Sequence, residues 1–214
     1  MKMLLKLQTF LFAAMCLIAC GEDEYVYPDL ITEITCLKTD ANGFGVQIVT
    51  DEGASWELRE GNRPAKLSPD SIYRTLCRFE PINSQEATLY AIQSVIAPIP
   101  EPADNFSSIQ TDPVSIQSIW RSGDYLNMIL QVKMKDQSHS FAFIENGLEM
   151  NNDGKQTLTL TLYHDQNEDT EAYYEKTYLS VPLWHYQNKL NKGDIIVFQL
   201  NTYEEGMTSR TFTY

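Results

Sequence analysis

The chain has 214 residues, of which 43% are hydrophobic, and a formal net charge of −13 at pH 7. This apolar content is ordinary for a globular protein, and the length suits one large or two small domains. The acidic balance predicts that nucleic acid is not a partner, because an acidic surface repels phosphate backbones.

The first nineteen residues have the pattern of a cleaved export signal. Two lysines precede an apolar run from Phe10 to Ala19, which is too short to cross a hydrocarbon core of about 30 Å as a helix. The run ends in Leu17-Ile18-Ala19-Cys20, which resembles a bacterial lipobox. We therefore predict a lipoprotein signal peptide at residues 1–19 and a mature chain that begins with acylated Cys20. Two or three acyl chains would anchor it stably in a membrane.

Residues 20–29 combine acidic and aromatic side chains, since Gly21-Glu22-Asp23-Glu24 precedes Tyr25-Val26-Tyr27-Pro28. One interpretation is a solvated acidic tether between the lipid and the folded chain. The acidic residues directly after Cys20 also resemble the export signal that sends lipoproteins of Bacteroidetes to the cell surface. The predicted location is therefore the outer membrane, with exposure at the cell surface as the finer hypothesis.

Residues 30–96 alternate apolar and polar side chains with the period of two that is typical of strands. Five strands are predicted, with turns at Asp40-Ala41-Asn42-Gly43 and Asp51-Glu52-Gly53 and a proline-containing connection at 61–70 that leaves room for one helical turn. The longest irregular connection lies between the third and fourth strands, which favours a five-stranded OB-like barrel. OB barrels often bind single-stranded nucleic acid, but this acidic stretch would make a poor groove for phosphates.

The second half of the chain predicts another β domain. Residues 97–112 contain Pro98, Pro100 and Pro102 and predict a stiff, extended linker. Residues 113–214 then predict seven short strands of alternating character, which favours an antiparallel β-sandwich. No long helix is predicted, so the fold class is all-β.

The order of these segments resembles one known family. A lipobox, an OB-like stretch, a proline-rich linker and a sandwich follow one another in the NigD-like lipoproteins of Bacteroidetes. The resemblance is carried in order by Asp112-Pro113-Val114, Trp120, Gly123-Asp124-Tyr125-Leu126-Asn127, Leu162-Tyr163-His164-Asp165, Ser180-Val181-Pro182-Leu183, Gly193-Asp194, Asn201-Thr202-Tyr203 and Arg210-Thr211-Phe212. It implies an OB-like domain followed by a sandwich. The family is named for a protein of a bacteriocin operon, which implies bacteriocin immunity, but the resemblance carries no catalytic residue across.

Three residues in the barrel segment are candidates for covalent modification. Cys36 and Cys77 lie on the predicted first and fourth strands, which are neighbours in an OB barrel, so one hypothesis is a disulfide in an oxidising envelope. The alternative is two buried, unpaired thiols. Asp70-Ser71-Ile72 resembles the three-residue O-glycosylation signal of Bacteroides envelope proteins, which makes Ser71 a candidate glycosylation site.

Three consecutive residues after Pro182 are candidates for ligand binding. Trp184, His185 and Tyr186 would stack on a sugar ring or enter a partner's pocket if they are exposed. The alternative is that they cover the edge of the sandwich as part of its core.

The sequence predicts no metal site and no cofactor. His139, His164 and His185 occupy separate turns or strand ends, without the close spacing that zinc ligands usually show. We also find no nucleophile elbow, and Gly43-Phe44-Gly45 lacks the third glycine of a dinucleotide-binding loop.

Asp165, Asn167 and Asp169 alternate as the first ligands of a calcium-binding loop do. Thr170 and Lys176 stand where that loop requires glycine and glutamate, so the tight turn and the bidentate ligand are both missing. The segment between Leu162 and Tyr174 therefore predicts a solvated hairpin turn.

These observations favour a binding protein over an enzyme. The first hypothesis is a non-catalytic outer-membrane lipoprotein of the NigD-like type that binds a macromolecular partner such as a protein or peptide toxin. An acidic surface would steer a cationic partner toward it. The alternative is a surface lipoprotein that binds glycans, for which the cluster at Trp184 is the specific support.

Overall fold

The structure is a computed structural model that describes residues 28–214. The predicted signal peptide and Cys20 lie outside these residues. The described strands are β1 Ile31–Thr39, β2 Gly45–Thr50, β3 Ser55–Leu58, β4 Ile72–Pro81, β5 Glu86–Ser94, β6 Glu101–Pro102, β7 Ser115–Ser122, β8 Tyr125–Met134, β9 Ser140–Met150, β10 Gln156–Asp165, β11 Tyr173–Pro182, β12 Ile195–Thr202 and β13 Gly206–Thr213. Short 3-10 turns lie at Glu60–Asn62, Ala103–Asn105 and Leu183–Tyr186. Within residues 28–214, no helix has the length and apolar character needed to span a membrane.

The first five strands form the predicted barrel. They close in the order β1-β2-β3-β5-β4, with β1 paired to β4 and with β3 paired in parallel to β5. The alternating apolar side chains of these strands fill the interior, where Leu37, Ile48 and Phe79 are completely buried. The connection from β3 to β4 contains only the single turn Glu60–Asn62. The OB-like fold is therefore confirmed.

The remaining strands form the predicted sandwich of two sheets. One sheet has the order β13-β12-β10-β9-β6 and the other has the order β11-β8-β7. Leu126, Met128, Leu130 and Val132 of β8 all face the core between the sheets. Not every pair is antiparallel, because β11 crosses to the other sheet and β12 then returns parallel to β10. The all-β fold class is confirmed, with this mixed pairing as a refinement.

A β-bulge changes which side chains of β7 face the core. The sequence predicts that Ile116, Ser118 and Trp120 share one face with Val114. The register between β7 and β8 shifts between Ile116 and Ser118, so Ile116 and Ile119 are the β7 residues that pack against the core. The inserted residue reverses the alternation, as a bulge does.

The segment predicted to be a linker packs against the sandwich. Its β6 pairs with β9, and Thr111 forms a bridge to His164 of β10. The Ile96 amide also donates to the Tyr178 carbonyl of β11 at 2.9 Å. The segment at 97–112, predicted to be a stiff, extended linker, is extended and pairs with the sandwich. The prolines keep this segment extended, and an extended segment is able to pair with the edge of a sheet.

Candidate functional site

A buried ion pair lies where the barrel meets the sandwich. Arg74 of β4 donates from Nη1 to Asp51 Oδ1 at 2.6 Å and from Nη2 to Asp51 Oδ2 at 2.7 Å. The two side chains are only 4% and 3% exposed. A buried charge needs a partner and further hydrogen bonds, and the planar guanidinium matches the two carboxylate oxygens.

The sandwich satisfies the remaining polar atoms of this pair. Asn127 of β8 accepts from Arg74 Nη2 at 2.9 Å and donates to Asp51 Oδ2 at 2.7 Å. Ser180, which faces Asn127 in the β11–β8 register, accepts from Arg74 Nε at 3.2 Å and donates to Asn127 Oδ1 at 2.6 Å. Arg74 Nη1 also lies 3.6 Å from Cys36 Sγ. All five N–H groups of Arg74 therefore have a partner, and the network fixes the two domains relative to each other.

Tyr125 covers this network at the start of β8. The Arg74 guanidinium lies 3.7 Å from the centre of the Tyr125 ring, which is a cation–π contact. The Tyr125 hydroxyl is 3.4 Å from Cys36 Sγ. Burial, and then the neighbouring Cys36, raise the pKa of Tyr125 to about 12, so the hydroxyl is neutral at physiological pH.

A glycine allows the two domains to approach each other closely. Gly123 lies in the β7–β8 turn with φ of +50°, and a Cβ atom there would lie 2.1 Å from the backbone oxygen of Asp51. Both the positive φ and the close approach require glycine at this position. The contact brings the β2–β3 turn of the barrel against the sandwich.

A cleft of about 370 Å³ opens beside the network, between the two domains. Its polar floor includes Arg74 and Tyr125, and its apolar rim includes Ile72 and Trp184. The Ile72 side chain is 67% exposed and Trp184 is 40% exposed. The full lining consists of Cys36, Ile72, Tyr73, Arg74, Ser94, Val95, Ala97, Tyr125, Pro182 and Trp184. An apolar rim around a few fixed polar groups is the usual form of a binding site.

The three aromatic candidates do not act as one cluster. Trp184 lines the cleft and His185 is exposed, whereas Tyr186 is completely buried in the sandwich core. The Tyr186 hydroxyl donates to Glu145 at 2.8 Å, and burial, followed by this carboxylate, raises the pKa of Tyr186. The hypothesis that Tyr186 contacts a ligand is therefore wrong. The turn that buries its ring presents Trp184 to the cleft.

Cys36 and Cys77, the cysteines of the described residues 28–214, are both free thiols. Cys77 is buried inside the barrel, whereas Cys36 lines the interdomain cleft on the outside of the barrel wall. Cys36 faces Arg74 in the β1–β4 register, three residues from Cys77, and an odd separation places side chains on opposite faces of a strand. The hypothesis of a disulfide is wrong for this reason.

Ser71 is half-buried at the beginning of β4. Its hydroxyl donates to the Pro69 carbonyl at 2.9 Å, and its amide donates to Thr39 Oγ1 at 2.8 Å. The predicted glycosylation of Ser71 would first have to free this hydroxyl from its turn.

The segment after Leu162 does not form the predicted hairpin turn. It connects β10 in one sheet to β11 in the other. Asp169 is buried there and accepts hydrogen bonds from the amides of Lys135 and Asp136. This carboxylate therefore attaches the crossover to the β8–β9 turn, and the prediction of a solvated hairpin is wrong. Asp165 accepts from the amide of Asn167.

His139 and His164 lie together, contrary to the expectation from their distance in the sequence. His139 Nδ1 is 2.9 Å from His164 Nε2, because β9 and β10 are neighbours in register. His185 is exposed in the turn after β11. Within residues 28–214, no set of three or more His, Cys, Asp or Glu side chains is arranged to hold a metal ion.

The sequence singled out Trp184 and Cys36 of the cleft, but it did not reveal Arg74 or the network below it. Arg74 is one of two arginines in β4, and Asn127 and Ser180 lie 53 and 106 positions away from it. A basic residue on the strand was the only local signal for Arg74. Its partners could not be identified without the packing of the two domains.

Comparison with known proteins identifies the family. Residues 96–214 match the model of the NigD-like C-terminal beta sandwich domain, so the matched domain begins before the predicted boundary at 113. A search of curated proteins finds no match.

Solved structures have the same two-domain fold. A NigD-like immunity protein from Bacteroides caccae is 32% identical, with 89% of this chain and 99% of that chain covered and a TM-score of 0.71. A protein from Parabacteroides distasonis, provisionally described as toxin-related, is 21% identical with coverages of 87% and 93% and a TM-score of 0.66. A protein from Bacteroides fragilis, provisionally described as a lipoprotein, is 13% identical with coverages of 87% and 97% and a TM-score of 0.56. The last two show the fold alone. By the matched sandwich domain and the 32% identical relative, the chain belongs to the NigD-like family.

Proposed function

We propose that this chain is a non-catalytic lipoprotein of the outer membrane that binds a protein or peptide partner in the cleft between its two domains. The observation that carries the proposal is the exposed pair Trp184 and Ile72 above a floor fixed by Arg74. Exposed apolar side chains on a rigid scaffold favour binding without turnover.

The network below the cleft lowers the cost of binding. Arg74, Asp51, Asn127 and Ser180 hydrogen-bond one another across the domain boundary, so the cleft does not have to be assembled when a partner arrives. A preorganised site loses less conformational entropy on association. Tryptophan is also among the residue types that most often dominate binding energy at protein interfaces.

The family supports immunity as the finer role. The relative from Bacteroides caccae is described as a NigD-like immunity protein, and capture of a toxin in the cleft is the form of immunity that we propose for this chain. The net charge of −13 would steer a cationic peptide toward this surface, with an effect that weakens as salt screens it.

The test is protection of a sensitive strain. The full chain is expressed in that strain, which is then challenged with bacteriocins from related species, and the same protein is used in pull-downs at low and high salt. We expect protection that is lost in Trp184→Ala and retained in Met150→Ala. Met150 is 73% exposed and lies outside the cleft, so it is the matched control. Failure of protection together with no salt-sensitive partner would contradict the proposal.

The anchor is tested separately. Cys20→Ser removes the acyl acceptor, so we expect that the variant no longer incorporates radioactive palmitate and is released from the membrane fraction. Surface exposure is read from protease accessibility on intact cells. A variant that still incorporates palmitate would contradict lipidation at Cys20.

Glycan binding is the second candidate function, because the exposed Trp184 indole offers a face for a sugar ring. Binding of the purified protein to a polysaccharide array would support it if Trp184→Phe retained binding and Trp184→Ala lost it. Hydrolysis of an envelope polymer by the purified protein would instead establish an enzyme.

A further inference from the structure

A pair of buried histidines joins three elements at one end of the sandwich. His139 precedes β9, His164 lies on β10, and Asp169 belongs to the crossover from β10 to β11. His139 Nδ1 is 2.9 Å from His164 Nε2, and His139 Nε2 is 3.5 Å from Asp169 Oδ2. The side chains of His139 and Asp169 are 2% and 3% exposed, so water contributes little to this site.

The hydrogen bonds determine where the protons lie. His164 Nδ1 is 2.9 Å from the carbonyl oxygen of Asp112, which only accepts, so Nδ1 of His164 carries a proton. A neutral His164 then offers Nε2 as an acceptor, and His139 must donate from Nδ1. A neutral His139 would therefore turn the lone pair of Nε2 toward the carboxylate of Asp169. That nitrogen has no hydrogen-bond partner, which is rare for a buried polar atom.

The carboxylate that faces this nitrogen is held in its ionised form. Asp169 accepts from the amides of Lys135 at 2.6 Å, Asp136 at 3.0 Å and Thr170 at 2.8 Å. Burial by itself raises the pKa of Asp169, but these backbone donors outweigh it and hold the pKa well below the usual range. An ionised oxygen opposite a bare nitrogen lone pair is repulsive, and one additional proton between them removes the repulsion.

We propose that His139 and His164 form a proton-binding site that shares three protons among its four ring nitrogens and so pairs one positive charge with Asp169. In this state every nitrogen of the pair donates or accepts a hydrogen bond. The proton completes the attachment of the β10–β11 crossover to the β8–β9 turn. When the proton is lost at higher pH, the lone pair of His139 Nε2 again faces the Asp169 carboxylate, and the attachment is weakened.

The other groups around the pair set the lower end of the pH range. Burial lowers the pKa of His164, and the charge of His139 lowers it further, while Asp112 and Asp165 act in the opposite direction. Phe141 of β9 stacks on the His164 ring at 4.6 Å and carries no charge. A fourth proton would place two N–H groups against each other between the rings. The pair therefore resists the fourth proton, and the unfolded chain accepts it first.

These two effects change the stability of the protein in opposite directions with pH, so the stability has an optimum between them. As pH falls below about 6.5, the ordinary histidine pKa, the unfolded state binds more protons than the folded state and stability decreases. As pH rises above the range in which the pair keeps its third proton, the ion pair with Asp169 is lost and stability also decreases. The stabilisation by this site is therefore greatest at an intermediate pH.

An acidic cleft lies next to the crossover. Asp165, the last residue of β10, and Glu168 of the crossover line this cleft of about 510 Å³ together with Gln110, Asp112, Gln166 and Asn167. Because Asp169 immediately follows Glu168, the attachment of Asp169 also holds this side of the cleft.

The direct test is the protonation of each ring nitrogen, measured by long-range ¹H–¹⁵N NMR on the mature chain labelled at histidine. The chain has three histidines, and His185→Gln and His139→Gln assign them. Near pH 6.5 we expect two protonated nitrogens in His139 and a single protonated Nδ1 in His164. A bare Nε2 in His139 at that pH would overturn the proposal.

The second test follows the attachment itself. Amide exchange at Lys135 and Asp136 is measured from pH 6 to 9 and corrected for the intrinsic effect of pH. Because a charge-assisted hydrogen bond is lost as the pH rises, we expect the corrected exchange rate of these two amides to increase by about tenfold or more. In His139→Gln the amide group donates to Asp169 without titrating, so the pH dependence should disappear while the fold remains. His185→Gln should retain it. A pH dependence that persists in His139→Gln would show that the pair is not its origin.

Discussion

Removal of the Asp51 carboxylate leaves a buried guanidinium without its counter-charge at the domain boundary. Asp51→Ala removes both hydrogen bonds from Arg74 and the one from Asn127, at 2.6, 2.7 and 2.7 Å. Breaking a buried ion pair from one side costs about 3–5 kcal/mol. Whole domains are stable by about 5–15 kcal/mol. We therefore expect Asp51→Ala to remove a large share of the free energy of unfolding.

Urea unfolding monitored by circular dichroism and tryptophan fluorescence measures this loss. The matched control is Glu205→Ala, because Glu205 pairs with Arg210 at 3.4 Å while the two side chains are 58% and 40% exposed. Loss of an exposed pair should cost less than about 1 kcal/mol. If Asp51→Ala cost no more than Glu205→Ala, the buried network would not hold the domains together and our reasoning would be refuted.

A double variant distinguishes the unpaired charge from the lost packing. Asp51→Leu combined with Arg74→Met removes both charges and leaves side chains of similar size. We expect the double variant to be more stable than Asp51→Leu alone, because replacing both members of a buried pair is often neutral. If the loss of stability in the double variant equalled the sum of the losses in Asp51→Leu and Arg74→Met, the cost would come from packing at the domain boundary and not from the isolated charge.

Three further predictions follow from single contacts. Gly123→Ala should destabilise the protein far more than Gly154→Ala when both are measured by thermal unfolding, since both glycines have positive φ but only Gly123 faces backbone at 2.1 Å. Tyr186→Phe should cost about 1 kcal/mol in urea unfolding, because one buried hydrogen bond to a carboxylate is lost. Alkylation without reductant should modify both Cys36 and Cys77 in the unfolded protein, and a mass that shows neither modified would contradict the free thiols.

Local patterns in the sequence were sufficient for the architecture. Alternation with a period of two predicted the strands of both domains, and the turn residues between them predicted where each strand ends. The connection at 61–70 was short and rich in proline, and it contains only the turn Glu60–Asn62. These predictions succeeded because the side of a strand that is buried depends mainly on the side chains within that strand.

Predictions that depended on two distant segments were less successful. The disulfide between Cys36 and Cys77 required both side chains on one face, but the β1–β4 register places them on opposite faces. The inserted residue in β7 shifted the predicted face of that strand. The extended segment at 97–112 paired with the sandwich. In each case the local pattern was right about extended chain, but the register with a neighbouring strand decided the contacts.

Composition and alternation are properties of each segment, so an all-β, acidic chain with a barrel and a sandwich could be predicted from the amino-acid sequence. The polar residues that act together became visible only when the strands were packed. Arg74 donates a hydrogen bond to Ser180, which is 106 positions away in the sequence. His139 is hydrogen-bonded to His164, which is 25 positions away. A buried charge or an imidazole pair is stable only where several separate strands supply its hydrogen bonds at once. Such an arrangement cannot be predicted from any single segment of the sequence.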